Sequence, residues 1–269
     1  MKKQLNILIL ILVCIALALP ARAQDLVIVH TNDLHSQVEA FTEGRNAGSG
    51  GLLSLSGYLE ETRKQYPNLL YLDAGDYNQG TPYYNLFEGM VEVEAMNALG
   101  LYATTLGNHE FDNGLEDLVQ RLKKAEFYTL CANYNIRYRP LRKLIKPYVI
   151  YNTGSKKIGI IGLTIDLNGL TSGEVLQKMQ YKDPVKTANR LANVLKKKGC
   201  HLIICLTHLG VQKDIDLAGL SRNIDLIIGG HSHTFLEEPL LEKNLDGQDV
   251  MIVQTGAKGV YTGRIDVHF

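Results

Sequence analysis

The stretch Gly107-Asn108-His109-Glu110-Phe111-Asp112 decides how the chain reads. Upstream, residues 102–106 form an apolar run of strand length; downstream, a helical pattern opens near Asn113. Glycine permits a sharp turn and a close backbone approach to a ligand. Asn108 offers a neutral oxygen to a metal ion, and His109 can move a proton near neutral pH. Asp112, three residues on, can hold that imidazole in one orientation. A strand-to-helix turn with capping residues would account for this stretch taken alone. It does not account for the metal-binding groups that recur at other strand ends.

Working outward, the β-branched run 25–30 leads into Thr31-Asn32-Asp33-Leu34-His35-Ser36, and the run 69–72 leads into Asp73-Ala74-Gly75-Asp76. Residues 201–207 end at His208, and 225–228 end at Gly229-Gly230-His231-Ser232-His233. Helical patterns separate these runs. Residues 52–66 place Leu52, Leu55, Leu59 and Thr62 on one face, and Pro67 stops the helix. Thr81-Pro82 opens a helix predicted to run to about residue 98; others are predicted over 114–125 and, after Asp183-Pro184, to about 198. Residues 148–152 and 157–164 flank Thr153-Gly154-Ser155 as a hairpin. The basic segment 134–147 reads as surface loop, 166–182 gives no clear signal, and 250–254 and 260–269 read as final strands. Alternating strand and helix indicates an α/β protein. The polar clusters fall at the C-terminal ends of strands, where open α/β sheets place their sites.

The chain of 269 residues is 45% hydrophobic and 21% charged, enough for a sizeable core. No basic stripe of the kind that binds nucleic acid is present. Residues 1–23 read as an export signal: Lys2 and Lys3, an apolar run over 7–19, Pro20, then Ala21-Arg22-Ala23 before Gln24. The run is short for a membrane-spanning helix, so cleavage and a periplasmic or secreted location are expected, with no stable anchor. Residues 1–23 hold three bases and no acid, which leaves 25 bases against 28 acids in the mature chain, a formal charge of −3. Cys131, Cys200 and Cys205 remain, an odd number, in or beside apolar runs, and read as buried free thiols.

Asp33, His35, Asp76, Asn108, His208, His231 and His233 mix carboxylate, imidazole and amide donors, a set suited to zinc, manganese, iron or cobalt. The set is too large for one tetrahedral ion. Two ions sharing a carboxylate would use it all. Such a pair can clamp a phosphoryl group and lower the pKa of water toward ~7, so that hydroxide attacks phosphorus. His109 is the candidate to protonate or stabilise the leaving alkoxide.

These motifs resemble the calcineurin-like metallophosphoesterases. The wording Thr31-Asn32-Asp33-Leu34-His35-Ser36, Asp73-Ala74-Gly75-Asp76 with Gln79-Gly80-Thr81-Pro82, residues 107–112, and Gly229-Gly230-His231-Ser232-His233-Thr234 is similar to the catalytic domain of the 5′-nucleotidase family. The resemblance implies a four-layer αββα sandwich with two mixed β-sheets over residues 24–269. It implies a first metal held by Asp33, His35, Asp76 and His233, and a second held by Asp76, Asn108, His208 and His231. It gives Asn108 a phosphate contact and makes His109 with Asp112 a catalytic dyad. The expected activity is hydrolysis of 5′-nucleotides or related phosphomonoesters.

Family members carry a second, nucleoside-holding domain, and nothing in this sequence is assigned that role. A separately encoded domain of that type is therefore an expected partner, docking on an apolar face near the C-terminus. Cyclic-nucleotide or nucleotide-sugar hydrolysis is the alternative activity. A non-catalytic metal-holding subunit and a periplasmic binding protein are the alternatives of other classes. Asp73 is expected to structure its loop, Gln254-Thr255-Gly256 to support the site, and His30 and His201 to be structural; Glu110 follows the family wording but need not touch a metal.

Overall fold

A computed structural model describes residues 26–269; the expected export signal lies outside the described residues. In chain order the strands are β1 (Leu26–Thr31), β2 (Leu70–Asp73), β3 (Ala103–Thr105), β4 (Tyr128–Leu130), β5 (Tyr134–Ile136), β6 (Ile145–Lys146), β7 (Tyr148–Asn152), β8 (Lys157–Thr164), β9 (Met179–Tyr181), β10 (Leu202–His208), β11 (Leu226–Ile228), β12 (Leu240–Lys243), β13 (Asp249–Val253) and β14 (Gly263–Val267). Among the described residues they build two six-stranded sheets, ordered β14-β1-β2-β3-β4-β6 and β12-β13-β11-β10-β8-β7, and a small β5-β9 pair. Each large sheet is mixed. The first is parallel except for β14, and the second has antiparallel β12 and β7 flanking a parallel centre.

Side-chain alternation along the strands generates the layers. Leu26 and Ile28 of β1 pack with Ile204 and Leu206 of β10 between the sheets. Val27 and Val29 turn outward onto Leu52, Leu55 and Leu59 of the helix Gly51–Gln65 and onto Met96 of the helix Met90–Ala98. On the far side, Ile203 and Cys205 turn outward onto Leu191 and Leu195 of the helix Pro184–Lys197. Helix, sheet, sheet, helix is the αββα order.

The structure revises several segments. The helix predicted over 82–98 is two helices, Pro82–Phe87 and Met90–Ala98, because Glu88 and Gly89 both take left-handed backbone (φ 53° and 83°). Thr81 precedes the first of them but does not cap it with its side chain; its hydroxyl donates to the Ser36 carbonyl instead. The segment 134–147 is not a loop: it carries β5, a helical turn (Arg139–Arg142) and β6, with Tyr134, Ile136 and Leu141 buried. The helix predicted over 114–125 ends at Leu122. Residues 166–182 contain the helix Gly173–Lys178, capped by Ser172, and β9. β12 was not anticipated. The hairpin of β7 and β8 forms with Asn152 opposite Lys157, and Asp183 caps its helix by accepting from Lys186 N (3.0 Å).

Cys131, Cys200 and Cys205 are buried and free. Among the described residues no helix is long and apolar enough to cross a membrane. Near β14, exposed Phe235 stacks on exposed Tyr261 (centroids 3.9 Å apart), so this face is not uniformly charged.

Candidate metal centre

The ends of β1, β2 and β3 in the first sheet, and of β10 and β11 in the second, open onto one cleft of about 370 Å³. Its lining includes His35, Asp76, Gln79, Asn108, His109, His231, His233 and Lys258. Every residue singled out from the sequence belongs to one connected set here. Asp33, His35 and His233 could hold one ion, and Asp76, His208 and His231 another. Asn108 Oδ1 lies 3.0 Å from His231 Nδ1, beside the second group. A third grouping, His35, Asp76 and His109, was not foreseen. Asp33 Oδ1 stands 3.4 Å from His233 Nε2 and 3.9 Å from Nε2 of both His35 and His208. Both carboxylates therefore lie between the two sets of histidines.

The loops that deliver these groups are strained. Asp33, His35, Asp76, His231 and His233 all have positive φ, between 47° and 77°. Non-glycine residues adopt this region rarely, at a cost of order 1–3 kcal/mol each, and such strain gathers at functional sites. Backbone pairing holds the strained turns in place: Asp33 N donates to the Gly75 carbonyl and His35 N to the Asp76 carbonyl. Asp73 accepts from Thr31 Oγ1, Thr104 Oγ1 and Gly75 N, which fixes the β2 loop. Asn32 joins Thr255 and Gly256 to the β1 loop, and Gln254 accepts from Ser232 Oγ and Thr234 N beside His233.

The chemistry of the donors fits a divalent ion. His208 Nδ1 donates to the Ala74 carbonyl at 2.8 Å, so Nε2 carries the lone pair in the neutral ring. That Nε2 is buried without a hydrogen-bond partner, although Asp76 Oδ2 lies 2.9 Å away. Burial pulls the His208 pKa down, but Asp76 and Asp33 outweigh it and push it up to about 10. Burial works against ionised Asp76, yet His208 and His109 hold it below the usual carboxylate range. The hydrogen bond to Asp33 raises His233. Burial lowers His35 and His231, which favours the neutral ring that metal binding requires. Two buried carboxylates thus draw positive charge to a point ringed by imidazole nitrogens.

At the mouth of the cleft, His109 Nδ1 lies 2.8 Å from Asp112 Oδ2, and this hydrogen bond raises the His109 pKa. The His109 ring is partly exposed, with its centroid 5.3 Å from that of His35. Asp76 Oδ1 also accepts from His109 N (2.9 Å), so the dyad is tied to the carboxylate.

The family model described as calcineurin-like phosphoesterase matches residues 26–235. The chain belongs to that family. It is 36% identical over 276 residues to a snake venom 5′-nucleotidase of Gloydius brevicauda, an alignment covering 94% of this chain and 47% of that protein. It is 34% identical over 274 residues to the NAD 5′-nucleotidase of Haemophilus influenzae, covering 92% and 45%. Among solved structures, the 5′-nucleotidase precursor of Thermus thermophilus superposes with a TM-score of 0.84 at 33% identity, covering 91% of this chain and 51% of that one. The chain spans about half the length of the curated relatives it matches. The fold expected from the resemblance is the one these relatives have.

Two residues escaped the sequence reading. Lys258 supplies a cation to the cleft wall, on left-handed backbone (φ 61°) pinned by Lys258 N to the Asp33 carbonyl at 2.7 Å. An isolated lysine among glycines carries no sequence signal of this. Glu110, which by its wording need not touch a metal, is buried with its carboxylate held by backbone amides.

Proposed function

We propose that this chain is the catalytic unit of an exported, dinuclear-metal phosphohydrolase acting on 5′-nucleotides or related phosphomonoesters. The observation that carries this reading is the meeting of Asp33, His35 and His233 with Asp76, His208 and His231 in one cleft, beside the His109–Asp112 pair. The names of the relatives supply the substrate class. Asp33, His35, Asp76 and His233 would hold one ion; Asp76, Asn108, His208 and His231 would hold the other.

When bound, the ions would supply electrophilic polarisation of a phosphoryl oxygen and a lowered pKa for water. The chain's own residues do the rest. Asn108 presents its side chain to a phosphoryl oxygen. Asp112 orients the His109 ring through Nδ1, so that Nε2 is the atom that donates a proton to the leaving oxygen. Lys258 adds positive charge on the approach side. The buried histidines and carboxylates stay fixed through their backbone partners, so little reorganisation accompanies reaction.

The test is hydrolysis by purified protein, stripped with a chelator and reloaded with manganese or zinc. The substrates are AMP, p-nitrophenyl phosphate and bis-p-nitrophenyl phosphate. Activity on the monoesters that vanishes on stripping and returns with metal is expected; an inert reloaded enzyme refutes the reading. NAD belongs in the panel because one relative bears that name. Export and cleavage after Ala23 are part of the proposal, and a mature N-terminus at Gln24 is the result that supports them. A second domain covering the apolar face around Phe235 and Tyr261 would supply nucleoside selectivity. Without it, comparable rates on AMP and p-nitrophenyl phosphate are expected.

A further inference from the structure

Glu110 is fully buried and faces backbone rather than the cleft. Its Oε2 accepts from Gly107 N (2.6 Å) and Asp76 N (3.0 Å), and its Oε1 from Tyr77 N (3.1 Å) and Asn78 N (3.4 Å). One carboxylate thus gathers amides from two loops, one following β2 and carrying Asp76, the other following β3 and carrying Asn108. The carrier is itself clamped. Arg121 Nη2 donates to the Glu110 carbonyl at 2.7 Å, while Arg121 Nε donates to Asp117 Oδ2 at 2.8 Å. Arg121 is as deeply buried as Glu110.

Asp76 sits in left-handed backbone (φ 55°), a conformation its own sequence does not favour. The amides of residues 76, 77 and 78 converge on a single carboxyl group. Gly107 meets the same group from the other loop, at a point where a Cβ would overlap Asp76 Oδ1. Glu110 therefore fixes the distance between the two loops as well as the shape of each.

We propose that Glu110 is a positioning residue, whose carboxylate sets Asp76 and Asn108 in the relative arrangement that lets both bind one ion before the ion arrives. This rests on the reading that Asp76, Asn108, His208 and His231 form a metal site. Glu110 touches neither ion nor substrate; it acts through the backbone of residues that do. In Glu110→Gln, one oxygen becomes an amide that turns hydrogens toward the amide N–H donors. The loops must then part or leave donors unmatched.

The experiment is calorimetric titration of Mn²⁺ into chelator-stripped protein at 25 °C, with a melting curve for each sample. The samples are wild type, Glu110→Gln, Glu110→Asp and Leu195→Ala. Leu195 packs on the outer face of the second sheet, so its truncation lowers stability without touching either loop. The expected result is a roughly 10–100-fold weaker Mn²⁺ affinity in Glu110→Gln, the range for lost support behind a metal ligand, with Leu195→Ala binding like wild type. Wild-type affinity in a folded Glu110→Gln overturns the proposal, as does a parallel loss in Leu195→Ala. If Glu110→Gln does not fold, Glu110→Asp decides: its shorter stem withdraws the oxygens, so weakened binding supports the role and wild-type affinity refutes it. A wild type that takes up no Mn²⁺ removes the metal reading itself and this inference with it, a result distinct from a defect confined to the variants.

Discussion

Nε2 of His208 lies 2.9 Å from Oδ2 of Asp76, with both side chains buried and the two residues delivered by opposite sheets. This contact joins the two sheets at the floor of the candidate metal centre. Replacing Asp76 with asparagine keeps the shape and removes the charge that both proposed ions would share. Metal affinity is expected to fall by at least about 100-fold, beyond the loss for an outer supporting residue, with hydrolysis falling alongside. Metal content after dialysis, read against activity, checks this.

Gly107 owes its place to space. A Cβ there would overlap Asp76 Oδ1 and crowd Asp76 N. Gly107→Ala is expected to displace the Asp76 loop, weaken metal binding and lower the melting temperature. Gly114→Ala is its comparison. That glycine has open space around it but left-handed backbone (φ 82°), so its loss should cost stability of about 1 kcal/mol and leave metal binding alone.

His109→Ala would remove the proposed proton donor and leave the proposed ligands in place. A fall of about 10²–10⁴-fold in kcat is expected, with metal content unchanged. Asp112→Asn should cost less, since the ring remains but its orientation and charge support weaken. Unchanged kcat in His109→Ala would remove the acid role.

Lys258 lines the cleft, with its ammonium 5.8 Å from the centroid of the Phe41 ring. Lys258→Met should raise KM several-fold for the doubly charged monoester, a change of about 1 kcal/mol for a partly exposed charge pair. It should matter less for the singly charged diester. Equal effects on both would make the lysine a wall residue only.

His30 makes stability depend on pH. It is buried, its Nδ1 has no hydrogen-bond partner, and burial pushes its pKa down to about 4. The unfolded chain takes up this proton below about pH 6.5, while the folded chain resists until about pH 4. The unfolded state therefore binds more protons in that window, and stability falls as pH drops from 6.5 toward 4, by up to about 3 kcal/mol from this group. Denaturant titrations at pH 7.5 and 5.0 should show a smaller acid loss in His30→Phe than in wild type. The same loss in both would place the effect elsewhere.

The ligand-bearing loops were legible because short β-branched runs end abruptly in Asp, Asn, Gly and His, a change of composition that packing does not require. Leu52, Leu55 and Leu59 likewise announced their helix through one buried face. The break at Glu88 was not legible, since glutamate seldom takes left-handed backbone and only Gly89 hinted at it. β12 escaped because its side chains are largely exposed and show no alternation. In 134–147 the charges masked the buried Tyr134, Ile136 and Leu141 between them. The role of Glu110 was not legible in sequence, because three of its four amide partners belong to residues more than thirty positions away.

The placement of the ligands on both sheets has a consequence for biogenesis. Asp33 and His231 meet across 198 positions, so a ribosome must finish nearly the whole chain before the cleft joining both sheets can assemble. Contacts this remote in sequence form late and slowly. A cation held by Asp33, His35 and His233, or by Asp76, His208 and His231, would therefore not serve as an early scaffold for the growing polypeptide, and a product ending before residue 231 would lack a member of each group.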